Sequence, residues 1–301
     1  MNMKANYNIS PEMLANDDKF QNDFFKRFQL RTREKPLELE PGLQKDYVFP
    51  TFYSEVTCAQ AIFLCDYDAA KNLLPHPKMK PVRMPKGRSM VALACYIYRN
   101  VLNVGPYNEI AMTIPVLFNP KVDVPVLPVL MNGFKDFGYY VFNMPVTSRE
   151  NCIRGNEIWG LPKVVQSIDV NQQSDRCVTT ATDEAGNDYF RLEIPTAGKS
   201  TAFDVTANIY SALNNKLLQS ETHFKGDFNI VKNTGVLFRK TEPSDGPYLQ
   251  LGSGPFADQL RALKIEPTPL QIRYADRMNA CFDIAKPGFN VAINSNAQRV
   301  A

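Results

Sequence analysis

The chain has 301 residues, of which 44% are apolar and 11% aromatic, and its 34 basic and 31 acidic side chains give a formal net charge of +3. This composition supports a large folded core and excludes a disordered chain, which would carry fewer apolar residues and a larger net charge. The balanced charge gives no indication of nucleic-acid binding, and no stretch approaches the roughly 18 consecutive apolar residues of a membrane span. The polar start, without an apolar leader, predicts a cytoplasmic protein.

The cysteine and histidine content argues against a disulfide framework and against a metal site. Six cysteines stand at positions 58, 65, 95, 152, 177 and 281, and none of them forms a C-x-x-C pair. In a long chain without a secretory leader, this pattern is typical of reduced thiols. His76 and His223 are the only histidines, which excludes a site built on several imidazoles. We therefore expect no metal and no cofactor.

Residues 1–45 are predicted to form an N-terminal helical arm outside the main domain. Ser10 followed by Pro11 is a typical helix start, with the hydroxyl as the cap and proline in the first turn. Four phenylalanines then recur at helical spacing and make one apolar face: Phe20, Phe24, Phe25 and Phe28. We expect this face to pack on the main domain or on a second copy of the chain, in a homo-oligomer. Binding to a membrane surface is the alternative, because basic residues flank the face.

The main domain is predicted at residues 46–286, and a polar tail follows at 287–301. A short helix capped by Asp66 or Asp68 is expected to end before Pro75. Strands are expected over 90–99, 109–118, 139–144, 163–170, 234–239 and 248–251, and a further helix over 257–263. Many strands and few helices, without regular alternation of the two, indicate an antiparallel, β-rich α+β domain.

A lysine follows the clearest helix of the chain. Thr147 and Glu150 have capping-box spacing, which predicts a helix that runs to about Trp159 and ends at Gly160. Lys163 then opens an apolar strand. A lysine in water has a pKa of roughly 10.4, and burial in an apolar cavity lowers that pKa, so that more of the amine is neutral. A neutral amine can attack a ketone and form an iminium. The alternative is an exposed strand lysine without chemistry.

The segment 155–163, GNEIWGLPK, resembles the active-site signature of the acetoacetate decarboxylase family. In that family a Gly-x-Glu helix end leads into Pro-Lys, and the lysine forms a Schiff base with the substrate, which implies this role for Lys163. The upstream segment 105–109, GPYNE, is similar to the family stretch that supplies an active-site carboxylate. The match implies that Glu109 acts as an acid–base group or positions the substrate.

The resemblance also implies the fold and the pocket. We expect a cone-shaped antiparallel β-barrel with flanking helices. Met144 and Leu161 fall where the family places apolar pocket residues. Trp159 and Val164, close to the lysine in the sequence, are expected to line the same substrate pocket.

The sequence departs from the family pattern next to the lysine. The decarboxylases carry two consecutive lysines, and like-charge repulsion from the second lowers the pKa of the first. Here the second position is Val164, and Asn156 stands where the decarboxylases have an arginine. We predict a Schiff-base lyase that decarboxylates a small β-keto or oxo acid through Lys163. The alternatives are an aldolase or dehydratase that uses the same lysine, and a non-catalytic barrel that binds a hydrophobic ligand.

Overall fold

The computed structural model describes residues 9–33, 35–121, 136–289 and 291–293. Strands dominate these residues: β1 Arg31–Thr32, β2 Leu37–Glu40, β3 Leu43–Lys45, β4 Val48–Phe49, β5 Thr51–Asp66, β6 Met79–Pro81, β7 Arg88–Val101, β8 Tyr107–Phe118, β9 Phe137–Val146, β10 Lys163–Val165, β11 Ser167–Gln172, β12 Arg176–Thr182, β13 Asp188–Pro195, β14 Lys199–Leu213, β15 Lys216–Lys232, β16 Leu249–Leu251, β17 Gln271–Phe282 and β18 Val291–Ala292. The helices are α1 Tyr67–Asn72, α2 Arg149–Arg154 and α3 Pro255–Ala262. Shorter helical segments are 3-10 turns at Pro11–Leu14, Asp17–Phe20, Phe25–Arg27 and Thr234–Leu237, and a π-helical turn at Gly155–Trp159.

Seven of the strands close into a barrel. Hydrogen bonding runs in the order β9, β14, β15, β17, β5, β7 and β8, and β8 pairs back onto β9. Neighbours are antiparallel except along β9, where residues 138–140 pair in parallel with β14 and residues 144–146 pair in parallel with β10. A second sheet lies beside the barrel, in the order β11, β12, β13 and β16. This architecture confirms the predicted β-rich α+β barrel with flanking helices.

The barrel strands are buried on both faces, which explains the apolar runs in the sequence. One core fills the interior of the barrel. A second core lies between the outside of the barrel and the second sheet, where Phe63, Leu93 and Ile110 pack with Leu192 and with Leu260 of α3. A strand covered on both sides cannot show the simple alternation of a half-exposed strand.

Helix α2 begins one residue later than the capping-box spacing predicts. Ser148, rather than Thr147, is the N-cap, and its hydroxyl accepts a hydrogen bond from the Asn151 N–H. The hydroxyl of Thr147 accepts a hydrogen bond from the Asn108 N–H of β8 at 3.0 Å instead. Glu150 accepts hydrogen bonds from two side chains of the β3 region rather than closing a capping box. Serine and threonine are both capping residues, so local pattern does not separate adjacent candidates.

Two other predicted strands differ in the structure. The strand expected over 163–170 is divided at Gln166, so that β10 extends the barrel sheet and β11 opens the second sheet. The strand expected over 234–239 is a 3-10 turn at Thr234–Leu237. In the predicted tail, β18 pairs with β15, and residues 294–301 lie outside the described part of the chain.

The described part of the N-terminal arm is not one helix. It consists of short 3-10 turns followed by short strands, and the Ser10 side chain makes no capping hydrogen bond. Phe20, Phe24 and Phe25 are nevertheless buried, in a cluster with Phe52 of β5. The aromatic face therefore lies on the barrel, which was one of the two predicted arrangements. The boundaries of arm, domain and tail remain predictions.

Candidate active site

The backbone of Lys163 is held by the turn that precedes it. The π-helical turn ends at Gly160, whose left-handed conformation (φ 60°) reverses the chain direction. The Lys163 N–H donates to Asn156 Oδ1 at 2.9 Å, and Asn156 Nδ2 donates to the Lys163 carbonyl at 3.2 Å. The lysine then pairs with Met144 of β9. Asn156, which replaces the arginine of the decarboxylases, thus has a structural use here.

Gly155 makes room for the lysine side chain. A Cβ at this position would lie 2.7 Å from Cε of Lys163 and closer still to its Cδ. The backbone of Gly155 is right-handed and helical (φ −61°), so a glycine is needed here for space and not for conformation. The glycine of the sequence motif therefore lets the side chain pass over the helix end on its way to the barrel interior.

Lys163 and Glu109 form a buried ion pair. Lys163 Nζ lies 2.6 Å from Glu109 Oε2, and only 7% and 5% of the two side chains are exposed. Tyr98 donates a hydrogen bond to the other carboxylate oxygen, at 3.3 Å. The two residues are 54 positions apart in the chain. The structure thus brings together the two residues for which the motifs predicted a catalytic role.

Four tyrosines surround this ion pair and were not predicted from the sequence. Tyr53, Tyr96, Tyr98 and Tyr107 line the same cavity, and the Lys163 ammonium lies 5.5 Å from the centroid of the Tyr107 ring. Burial raises the pKa of Tyr96, Tyr98 and Tyr107 well above the ordinary phenol value, and the Glu109 charge acts in the same direction. The phenols are therefore neutral and can donate hydrogen bonds. Tyr96 and Tyr98 are two positions apart in β7, a spacing that places both side chains on the same face of the strand and could have indicated their shared location.

The ion pair lies on the wall of a cavity inside the barrel. The cavity has a volume of about 180 Å³. Away from the ion pair its walls are mostly apolar: Val141, Phe203, Val205, Ile209, Phe224, Phe228, Met278 and Phe282. Val205 is 40% exposed, so the cavity reaches the surface along β14. Cys58 also lines it, and burial raises the pKa of this thiol to about 12, so the sulfur is protonated and a poor nucleophile.

Two of the four predicted pocket residues line the cavity and two do not. Met144 and Leu161 line it. Trp159 packs behind the wall, where its ring stacks on Phe282 and its indole N–H donates to a backbone carbonyl at 2.8 Å. Val164 follows the lysine in β10 and therefore points to the opposite face of the strand. The expectation that Trp159 and Val164 line the pocket is wrong, because proximity in sequence does not give a side chain's direction.

Comparison with known proteins identifies the family to which the chain belongs. The family model for acetoacetate decarboxylase (ADC) matches residues 34–275. The chain belongs to the acetoacetate decarboxylase family. A search of curated protein sequences gave no match. The predicted family is thereby confirmed, and the family match includes both Glu109 and Lys163.

Solved structures of this family share the fold at low sequence identity. Acetoacetate decarboxylase from Legionella pneumophila aligns with a TM-score of 0.56 and 14% identity, over 79% of this chain and 86% of that one. The enduracididine biosynthesis enzyme MppR complexed with pyruvate aligns with a TM-score of 0.52 and 12% identity, over 82% and 91% of the two chains. One barrel thus occurs in a decarboxylase and in a biosynthetic enzyme.

No helix in the described part of the chain has the length and apolar character needed to cross a bilayer. Within the same residues, no cluster of three or more His, Cys, Asp or Glu side chains has the geometry to hold a metal ion. The six cysteines are all free thiols.

Proposed function

We propose that this protein is a Schiff-base lyase in which Lys163 forms an iminium with the carbonyl of an oxo acid. The observation that carries the proposal is the contact of 2.6 Å between Lys163 Nζ and Glu109 Oε2 on the wall of a mostly apolar cavity. An amine nucleophile needs a partner that removes its proton and later returns it. Membership of the acetoacetate decarboxylase family supports the same assignment.

The geometry supports a sequence of proton transfers between these two side chains. Glu109 takes a proton from the Lys163 ammonium as substrate enters and displaces water. The free amine attacks the carbonyl carbon, and a proton moves from the attacking nitrogen to the carbonyl oxygen to give a carbinolamine. Glu109 then returns its proton to the departing hydroxyl, water leaves, and the iminium remains. In decarboxylation the electrons of the bond to the carboxylate move into the iminium, which releases carbon dioxide and leaves an enamine. Protonation and hydrolysis regenerate the lysine.

An aldol or dehydration reaction through the same iminium is the second candidate. Glu109 stands beside the nitrogen, where its carboxylate can remove a proton from the carbon next to the iminium. That step gives the same enamine without loss of carbon dioxide. The enamine can then add to an aldehyde. The structural likeness to MppR complexed with pyruvate, an enzyme of enduracididine biosynthesis, is compatible with such chemistry on this fold.

Reductive trapping tests the proposal directly. The protein is incubated with acetoacetate or, separately, with pyruvate, borohydride is added, and intact mass and peptide mapping locate the adduct. We expect one reduced adduct on Lys163, which is absent in Lys163→Ala and present in Lys216→Ala, a control at an exposed lysine. Release of carbon dioxide separates decarboxylation from aldol chemistry. A folded wild-type protein that gives no adduct with any of several oxo acids would instead support the non-catalytic binding barrel.

A further inference from the structure

A second cation lines the cavity, and the proposed reaction does not use it. Arg273 is half-buried on β17, Nε donates to Gln271 Oε1 at 2.8 Å, and Cζ lies 5.5 Å from the Phe203 ring centroid. Its charge is close enough to lower the pKa of Cys58, against the larger effect of burial. Among the described residues, no carboxylate forms an ion pair with Arg273. The guanidinium therefore enters the cavity with hydrogen-bond donors to spare.

The charges on the cavity wall do not balance. The described lining contains two cations, Lys163 and Arg273, and one carboxylate, Glu109. Glu109 is already engaged by Lys163 at 2.6 Å. The half-buried Arg273 is thus the one cation on the described cavity wall without a carboxylate partner. A ligand with one negative charge would restore the balance.

Arg273 lies across the barrel from the catalytic pair. Cross-strand pairing runs from Arg273 to Gln60, Ala94 and Ala111, and Ala111 follows Glu109 by two positions on the same face of β8. Three strand spacings of roughly 4.8 Å separate β17 from β8, which amounts to about 14 Å of barrel wall. A carboxylate bound at Arg273 therefore lies on the side of the cavity opposite the strand that carries Glu109.

The other arc of the barrel wall, from β9 through β14 and β15 to β17, is suited to a hydrocarbon chain. It presents Val141, Ile209, Phe224, Phe228 and Met278 to the cavity. Apolar contacts of this kind stabilise a bound chain in proportion to the surface that is buried, without a directional requirement. They favour a ligand whose middle part is apolar and whose two ends are polar.

We propose that Arg273 binds the carboxylate of a substrate whose carbonyl reaches Lys163, with an apolar chain of several carbons between the two groups. The substrate class is then a medium-chain oxo acid with a remote acid group, rather than a short β-keto acid. This inference rests on the proposed Schiff-base function and names its substrate. The carboxylate held by Arg273 stays on the molecule, so a substrate with this single carboxylate reacts by the aldol or dehydration route, in which the carbon beside the iminium loses a proton to Glu109 and the resulting enamine forms the new bond.

A matched pair of methyl ketones tests the role of Arg273. One has a medium-length chain with a terminal carboxylate, and the other has the same length without it. The measured quantity is the concentration that gives half-maximal borohydride-trapped adduct on Lys163. We expect the carboxylate to lower this concentration roughly 10- to 100-fold in the wild type, as a charge-assisted hydrogen bond would. Arg273→Gln should abolish the difference while the neutral ketone is trapped as before.

Two further variants keep this test decisive. Arg277→Gln removes an exposed arginine of the same strand, which pairs with Glu55 outside the cavity, and should keep the full preference for the acid. Arg273→Lys keeps the positive charge and should keep most of the preference for the acid ketone. Equal preference for the acid in wild type and in Arg273→Gln would overturn the proposal.

Binding of octanoate separates failure of this inference from failure of the proposed function. Octanoate has no ketone and cannot form an iminium, so its affinity, measured by calorimetry, reports on the acid site alone. We expect binding in wild type and in Lys163→Ala, and at least a 10-fold loss in Arg273→Gln. If no ketone is trapped but octanoate shows this pattern, the Schiff-base function fails and the acid site stands. If wild-type protein does not bind octanoate and shows no preference for the acid ketone, the acid site fails.

Discussion

Among the described residues, two ion pairs are almost fully buried, and their surroundings differ sharply. Arg88 and Glu266 lie 3.0 Å apart, with side-chain exposures of 1% and 4%. The Arg88 guanidinium also donates to four backbone carbonyls, and Thr241 donates to Glu266. Lys163 and Glu109 lie 2.6 Å apart and are similarly buried. Among the described residues, the one further hydrogen bond to either charged group is donated by Tyr98 to Glu109, at 3.3 Å.

The difference shows how burial serves structure in one place and chemistry in the other. Arginine cannot be deprotonated in a protein, so Arg88 needs a complete set of acceptors and receives one from the chain around it. Lysine can lose its proton, and a partner at hydrogen-bond distance can take it. The first pair is closed off by backbone, whereas the second borders an open cavity. A pair that exchanges a proton must leave room for a substrate.

Glu109→Gln tests the chemical half of this comparison and should have the largest effect. The amide keeps the shape of the side chain but cannot accept the lysine proton. We expect the rate of adduct formation on Lys163 to fall by about 10²- to 10⁴-fold, the usual contribution of an acid–base group. Stability should change less than in the structural pair, because Lys163 can become neutral when its partner is lost. Denaturant unfolding and trapping kinetics on the same preparation measure both quantities.

Glu266→Gln is the matched variant in the structural pair. It leaves the Arg88 charge buried without its counter-ion, and the free energy of unfolding should fall by about 3–5 kcal/mol. Adduct formation on Lys163 by the folded fraction should be unchanged. A denaturant midpoint for Glu266→Gln no lower than that of Glu109→Gln would show that the two pairs do not differ as their surroundings indicate.

Much of this site could be predicted from the sequence, because its two charged residues sit in local motifs. Lys163 and Glu109 were found from segments of fewer than ten residues each, as was the family. The tyrosines and Arg273 were missed because they join the cavity through cross-strand register, which depends on the closure of β8 onto β9. The prediction of a helix in the arm was wrong for a related reason. The phenylalanines there are placed by contact with Phe52 and not by helical periodicity.

Gly155→Ala should slow the reaction only by displacing the Lys163 side chain. The added methyl would overlap the Cδ and Cε atoms of Lys163 and push the side chain away from Glu109. A displacement of about 1 Å at a reacting group can cost roughly 100-fold in rate. We expect a loss of this size in trapping rate, while Gly235→Ala, where an added Cβ meets no atom within 4 Å, should have no effect. A normal trapping rate in Gly155→Ala would mean that the helix end does not set the position of the lysine.

Tyr98→Phe should give the smallest effect, because the phenol touches the pair through a single long hydrogen bond. Its removal takes one donor from Glu109, and we expect trapping to slow by about 10-fold or less, in line with roughly 1.5 kcal/mol for a hydrogen bond to a charged group. Tyr96→Phe is the control, since Tyr96 lines the same cavity but hydrogen-bonds to Cys58 instead.

The pH profile gives the Tyr98 prediction a second measurement. Burial and the Glu109 charge both raise the pKa of Tyr98 above 10.0, so the phenol remains a hydrogen-bond donor from neutral pH to about pH 10. The wild type and Tyr98→Phe should therefore differ by a constant factor from neutral pH up to about pH 10, the ordinary phenol value. A difference that disappears as the pH rises towards that value would mean that the phenol ionises within the range. In that case Tyr98 would take part in proton transfer at the site rather than act as a fixed hydrogen-bond donor to Glu109.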